Sequence, residues 1–461
     1  MKSLTWLDNA KIRISYGVTG NQNGVTSWYT NSTWSYGVAT WQTSTSGTGV
    51  PATFKINAPG TPPNDDITWE NIHQFDLGLD FSVLNSRITG AVDFYNNVTV
   101  NSLFAQAVSP LANLGAQSRT RNAAKIRNRG IEIELDADII RTKDWTWSVG
   151  TNGTHYRTVL TSVPAEQIPY WDKTMDLPQG CWEATNESWK STGTGDTNNR
   201  GVLYLRGEGR DYFNLYIFRF AGIDENSGMP MYWHRVTYYD VNPKADGTYD
   251  HDGRYAQYKQ GDNVRTNVTA DASRYEMGSV TPDWIGGFTT NLRYKDFDLG
   301  INIAYQLGGK FLSVDYANEL YRGSAVSIGK GDQPLSKDLI GNTWSPTNRG
   351  AEFPMQWFTN GSRSMYYDGS TIGGYMWTDM ALFDASYLRV KNITLGYTLP
   401  KALLRKVGVN KFRAFISCDN MFFISKKKGV DSSMSIVGGM EVGARSYPQM
   451  QTVTLGVNLE L

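Results

Sequence analysis

The chain is poor in the residues that build disulfide scaffolds, metal centres and helical membrane spans. It has 2 cysteines and 4 histidines in 461 residues. Cys181 and Cys418 allow one disulfide at most and no thiolate metal site. His73, His155, His234 and His251 are scattered along the chain, which argues against a histidine-based metal site. No apolar stretch approaches the length of about 18 residues that a spanning helix needs, and the mean hydropathy is −0.42. Lys+Arg and Asp+Glu both number 44, so the basic excess of a nucleic-acid binder is missing. The opening run, Met1-Lys2-Ser3-Leu4-Thr5-Trp6, has no apolar core and does not read as a signal peptide.

What is present is aromatic and glycine residues: 15 Trp, 26 Tyr, 18 Phe and 46 Gly, with 19% charged residues. Disordered chains are aromatic-poor, so this composition argues for folded β structure. Several segments alternate apolar and polar residues with period 2. Phe75, Leu77, Leu79, Phe81 and Val83 share one face, with Gln74, Asp76, Gly78, Asp80 and Ser82 on the other. Ile131, Ile133, Leu135, Ala137 and Ile139 alternate with Glu132, Glu134, Asp136 and Asp138. Residues 297–307, 393–399 and 452–461 repeat the pattern.

Ten strands are expected, over 10–18, 72–84, 86–98, 128–141, 144–156, 284–295, 297–308, 384–399, 409–421 and 449–461. Most exceed the soluble-strand average of about 5–6 residues and suit a tilted membrane crossing of about 9–11. Their links alternate in length. Asn85, Thr142-Lys143, Asp296 and 400–408 are short, whereas 19–71, 99–127, 157–283, 309–383 and 422–448 are long. Short turns at one end and long loops at the other are the layout of an outer-membrane barrel. The acidic row Glu132, Glu134, Asp136 and Asp138 would be costly against a packed core and inexpensive against a hydrated lumen. The expected fold class is therefore all-β: a transmembrane antiparallel β-barrel with long extracellular loops.

The run Asp384-Ala385-Ser386-Tyr387-Leu388-Arg389-Val390-Lys391-Asn392-Ile393-Thr394-Leu395-Gly396-Tyr397-Thr398-Leu399-Pro400 resembles a C-terminal signature of SusC/RagA-type TonB-dependent outer-membrane transporters of Bacteroidota. Ile12–Asn21, Trp69-Glu70, Asn128-Arg129-Gly130-Ile131-Glu132, Phe220–Asp224 with Gly228-Met229-Pro230, and Asn342–Asn348 are similar to further family motifs in the same order. The resemblance implies about ten C-terminal strands of a larger barrel of about 22. It implies that residues 1–461 form the C-terminal part of that barrel, with the plug, TonB box and signal peptide absent from this stretch. It also implies import of oligosaccharides or peptides, a SusD-like surface lipoprotein as partner, a TonB complex acting through the missing N-terminal part, and outer-membrane lipid as surroundings. No nucleic acid and no cofactor are implied.

No nucleophile elbow, HExxH or P-loop occurs, so no enzyme is expected. Most tryptophans fall in the long loops. Trp182 and Trp189, in a polar stretch rich in Gly, Asn and Thr, are the first candidates for stacking on substrate, followed by Trp171, Trp233, Trp357 and Trp377. Trp69 and Trp344 lie in family motifs and read as structural, and Trp145 and Trp147 read as interface aromatics. Asp246–Gly253 and Asp224–Gly228 read as turns without the terminal Glu of a calcium loop. Lys426-Lys427-Lys428 reads as a solvated tip. The rival reading is a soluble surface glycan-binding, lectin- or adhesin-like β protein whose apolar strand faces pack on one another.

Overall fold

The structure, a computed structural model, describes residues 5–23, 25, 33–41, 52–61, 64–107, 118–163, 178–185, 203–268, 271–313, 316, 320, 336–355, 378–404, 408–434 and 449–460. Ten strands form one antiparallel sheet in chain order. They are β1 (Leu7–Asn21), β2 (Glu70–Val83), β3 (Ile88–Ala107), β4 (Ser118–Arg141) and β5 (Trp145–Ser162). The second five are β6 (Trp284–Tyr294), β7 (Phe297–Leu307), β8 (Tyr387–Thr398), β9 (Lys411–Ser425) and β10 (Thr452–Glu460). All ten expected strands are found, joined by the expected short turns at one end. No helix among the described residues is long and apolar enough to cross a membrane.

The register carries one apolar row from strand to strand. Trp147 faces Leu292, which faces Leu299, then Leu395, Ile416 and Leu455. A second row joins Ile14, Leu77, Phe94 and Ile131. Many of these side chains are exposed; Leu455 is 79% and Ile14 is 70% accessible. A contiguous apolar face of this extent in water would be an aggregation surface. The opposite face is polar, as the period-2 alternation requires. On it Arg13 reaches Asp80 at 2.8 Å and Asp93 at 2.9 Å, linking three strands. Arg413 pairs with Asp298 in the same way near the other edge.

Two expectations about extent are corrected. Residues 99–127 were expected as a long loop, but β3 has 20 residues and β4 has 24, so most of that segment is a projecting hairpin. The pairing passes through a bulge, with register shifts at Thr99/Ser102 and Ser102/Leu103 and Asn101 left-handed at φ 57°. The irregularity hides the strand from period-2 reading. Glu70 fills the bulge. Its Oε1 accepts from Ser102 Oγ at 2.8 Å and Leu103 N–H at 2.9 Å, and its Oε2 from Asn21 Nδ2 at 3.0 Å.

The long links also carry sheets of their own. Cys181–Thr185, Leu203–Gly207, Asn214–Phe218 and Arg274–Ser279 form one, and Phe220–Ile223, Pro230–Arg235 and Asn263–Thr266 another. The largest buried cluster lies here, around Leu215, Ile217, Tyr232, Leu312, Leu320 and Phe353. The buried core is in the loops, and the wall keeps its apolar side exposed.

Candidate functional site

The polar face of the wall holds a recess of about 580 Å³ at its centre, lined by Asp93, Glu132, Glu134, Asn152, Thr154 and Gln306 among others. Successive strands supply these residues in register: Asp93 faces Glu132, Glu132 faces Thr154, and Glu134 faces Asn152. Of the acidic row expected to face water, Glu132 and Glu134 line this recess. Tyr387 of β8 closes one side. The recess can hydrogen-bond hydroxyl and amide groups and favours positive charge.

Above it stand the loop sheets, held by contacts that explain several family motifs. Trp344 is 9% exposed, and its indole N–H donates to the Glu225 carbonyl at 3.0 Å. It lies on Gly228, whose φ of +75° and absent Cβ the contact requires. The motifs at 220–230 and 342–348 are therefore one docked unit, and Trp344 is structural as expected. Arg389 of the signature run is buried and reaches Gln449 at 2.5 Å, Ser433 at 2.9 Å and the Asp431 carboxylate. It ties β8 to the segment leading into β10. Trp69, by contrast, is 59% exposed and rests beside Gly20. Trp145 stacks on Tyr294 at 4.2 Å, and Trp147 donates to Thr290 at 2.9 Å, both at the short-turn end.

Of the six tryptophans singled out for substrate, the structure locates one in full. Trp233 is half-buried on the strand Pro230–Arg235, with Arg219 5.8 Å from its ring. Trp182 is on the strand Cys181–Thr185 with its side chain outside the described residues, and Trp171, Trp189, Trp357 and Trp377 lie outside them altogether. The six are therefore not seen to converge. The turn readings hold: Asp246 accepts from Thr248 N–H at 3.0 Å, and Asp224 from Asn226 N–H at 3.2 Å. Both cysteines are free.

The lysine run is corrected at its middle residue, while Lys426 and Lys428 are exposed as expected. Lys427 is no solvated tip: its ammonium sits 2.6 Å from Asp338 and 4.9 Å from the Tyr316 ring. Hydrogen bonds from Lys427 and then Tyr316 hold the Asp338 carboxyl below its ordinary range. A depressed folded value means that the unfolded chain binds more protons at acid pH. The tie is thus fully present above the unfolded value of about 3.9 and is lost as pH falls through the folded value. Hydrogen exchange over 336–343, corrected for intrinsic rate, should show protection falling below about pH 4. Lys427→Ala should show the lower protection already at neutral pH; an unchanged profile would remove the role given to this pair.

Sequence reasoning missed that His234 and His251 meet. They lie 5.0 Å apart, ring to ring, around the buried Asp240. Nothing in their spacing signals this, because the intervening residues form an irregular loop.

With this geometry in place, known proteins offer a comparison. Residues 3–200 match a family model described as TonB dependent receptor-like, beta-barrel. TonB-dependent receptor P3 of Formosa agariphila is 25% identical over 407 residues, covering 86% of this chain and 35% of the relative. TonB-dependent receptor SusC of Bacteroides thetaiotaomicron is 25% identical over 470 residues, covering 100% of this chain and 38% of the relative. A solved structure of the RagAB peptide transporter superimposes with a TM-score of 0.66 at 21% identity, over 100% of this chain and 41% of that one. The chain spans little more than a third of the length of these curated relatives. Its ten strands have the fold of a TonB-dependent transporter wall.

Proposed function

We propose, from this likeness to SusC/RagA-type TonB-dependent receptors, that the chain is the C-terminal part of an outer-membrane importer's barrel. It supplies lipid-facing wall, one side of the lumen and the extracellular loops. The observation that carries the reading is the sided sheet: an exposed apolar face, a polar face with an acidic recess, and long loops at one end only. The complete protein imports oligosaccharides or peptides with energy from a TonB complex, under a SusD-like surface lipoprotein. The polar recess suits both substrates, and one structural neighbour is titled a peptide transporter. Trp182, Trp189, Trp171, Trp233, Trp357 and Trp377 are the proposed stacking residues of the loops. The relatives are receptors and not enzymes. The soluble lectin-like reading is not favoured, because it needs the apolar strand faces packed together, and they are exposed.

Among the described residues β1 and β10 each pair on one side only. In hydrocarbon each unpaired backbone group costs several kcal/mol. The wall therefore needs further strands, and its relatives extend well beyond the part that this chain matches. The test is to produce the chain with and without the preceding part of its gene product in a host that assembles outer-membrane proteins. A species that stays compact in unheated SDS and shifts on boiling is expected only with both parts. A soluble, monodisperse chain without detergent would overturn the barrel reading.

A further inference from the structure

The loop sheet built from Phe220–Ile223, Pro230–Arg235 and Asn263–Thr266 carries a side-chain cluster that transport does not use. His234 stands on its central strand. Asp240 lies on the short helix Tyr238–Val241, and His251 in the turn Asp250–Gly253. The His234 and Asp240 side chains are 1% and 0% exposed, while that of His251 is 26% exposed. Their donor atoms lie within 4.8 Å of one another.

The hydrogen bonds fix the chemistry. His234 Nδ1 is 2.6 Å from the Asp271 carbonyl oxygen, which can only accept, so Nδ1 carries the ring proton. The neutral ring then presents a bare Nε2 lone pair to Asp240 Oδ2, 2.9 Å away. Two lone pairs face each other out of water, so the site needs positive charge at that point. Asp240 Oδ2 already accepts from Thr237 N–H at 2.7 Å and the Thr237 hydroxyl at 2.9 Å, so Oδ1 is the oxygen turned toward the second imidazole. His251 Nδ1 aims at that Oδ1 from 2.6 Å. A proton on His234, with a His251 Nδ1–H donating to Asp240 Oδ1, is the rival arrangement that holds the cluster by hydrogen bonds alone. A metal ion uses all three donors.

We propose that His234 Nε2, Asp240 Oδ1 and His251 Nδ1 bind one divalent transition-metal ion. Two imidazoles and a carboxylate form the borderline ligand set that zinc takes. The His234 Nδ1–H bond to the Asp271 carbonyl is the outer partner that a metal-bound histidine needs to fix its tautomer. The fourth position opens beside the exposed flank of His251 and takes water. Donors around tetrahedral zinc, at bonds of about 2.0–2.1 Å, stand roughly 3.3 Å apart, so seating the ion moves Asp240 Oδ1 and His251 Nδ1 apart from their 2.6 Å separation. The ion is structural: it fastens the irregular segment 236–262 onto the loop sheet. Tyr255, stacked on His234 at 4.1 Å and bonded to Asp271 at 2.7 Å, closes the inner side.

The test uses the chain co-assembled with the preceding part of the barrel, freed of metal with a chelator and titrated with zinc, and separately with cobalt(II) as a coloured probe. One zinc per chain, and the visible absorption of tetrahedral cobalt, are expected. Losing an outer partner of a metal site costs about 10–100-fold in affinity, and losing a ligand costs at least as much. His251→Ala should therefore weaken zinc binding by about 100-fold or more, with the loop's circular dichroism retained. His251→Gln serves if the alanine variant does not fold. His73→Ala, a histidine bonded to Tyr16 on the wall, should leave zinc binding unchanged. No retained zinc and no cobalt spectrum would overturn the site and leave a proton on His234 as the required charge. Equal zinc affinity in the His251 and His73 variants would overturn it as well.

Discussion

Ile301→Arg is expected to destabilise the assembled barrel by about 2–4 kcal/mol, the cost of a lipid-facing arginine at the bilayer midplane. Asn302→Arg, one residue on, should stay within about 0.5 kcal/mol. The argument rests on β7. Its apolar face reads Phe297, Leu299, Ile301, Ile303 and Tyr305, aromatic at both ends and aliphatic between. Phe297 pairs with Tyr397 on the next strand at 4.5 Å, so the lower girdle is shared between strands. From Phe297 to Tyr305 the strand rises roughly 26 Å along its own axis, and less along the membrane normal once tilted. Ile301 is midway. Asn302 faces Thr289 and Asn392 on the polar side, where an arginine finds water and carboxylates. Denaturant midpoints of the two variants in lipid vesicles, with unchanged slopes, decide the matter. Equal losses would mean that the apolar face does not meet hydrocarbon.

The same alternation made the wall legible in the sequence. Each strand has one face that must be apolar and one that must not, so period 2 marks its existence and its sidedness together. Strand length was less legible. Beyond the bilayer neither face is constrained, and stretches such as Asn101–Ala107 and Ser118–Lys125 extend β3 and β4 without the alternating pattern. Their pairing depends on Glu70 from another strand, which no local rule exposes. The loop sheets were hidden for a related reason. Their strands are 4 to 6 residues long and belong to cores assembled from distant segments. Lys427 looked solvated because its partner, Asp338, is remote in sequence, and His234 and His251 looked scattered because a buried aspartate gathers them. The acidic recess was legible, since Glu132 and Glu134 sit on the polar phase of a clear strand. The choice among tryptophans was not, because stacking and packing demand the same residue.

Gly286→Val should prevent β5 and β6 from pairing, with a cost at or above the upper end of the ~1–3 kcal/mol usual for overpacking. A Cβ on Gly286 would stand 2.1 Å from the Asn152 carbonyl oxygen and 2.7 Å from the Tyr305 hydroxyl. The first is backbone of the neighbouring strand and cannot turn away. The second belongs to a ring laid over the glycine, whose hydroxyl donates to that same Asn152 carbonyl at 2.9 Å. Tyr305→Phe removes only this bond and should cost about 0.5–1.5 kcal/mol. Gly17→Val is the control, since nothing lies within 4 Å of its Cβ position. The junction matters because of where it falls in the chain. β4 with β5, and β6 with β7, pair across short turns. β5 and β6 meet only after the longest link, 163–283, is closed, and closure entropy opposes that pairing before any contact repays it. Misfit at Gly286 therefore acts on the step with the least local support. It should appear as loss of the heat-modifiable band in the co-assembled protein, with Gly17→Val retaining it. If Gly286→Val assembles as well as Gly17→Val, the glycine–tyrosine contact does not hold the two halves of the wall together.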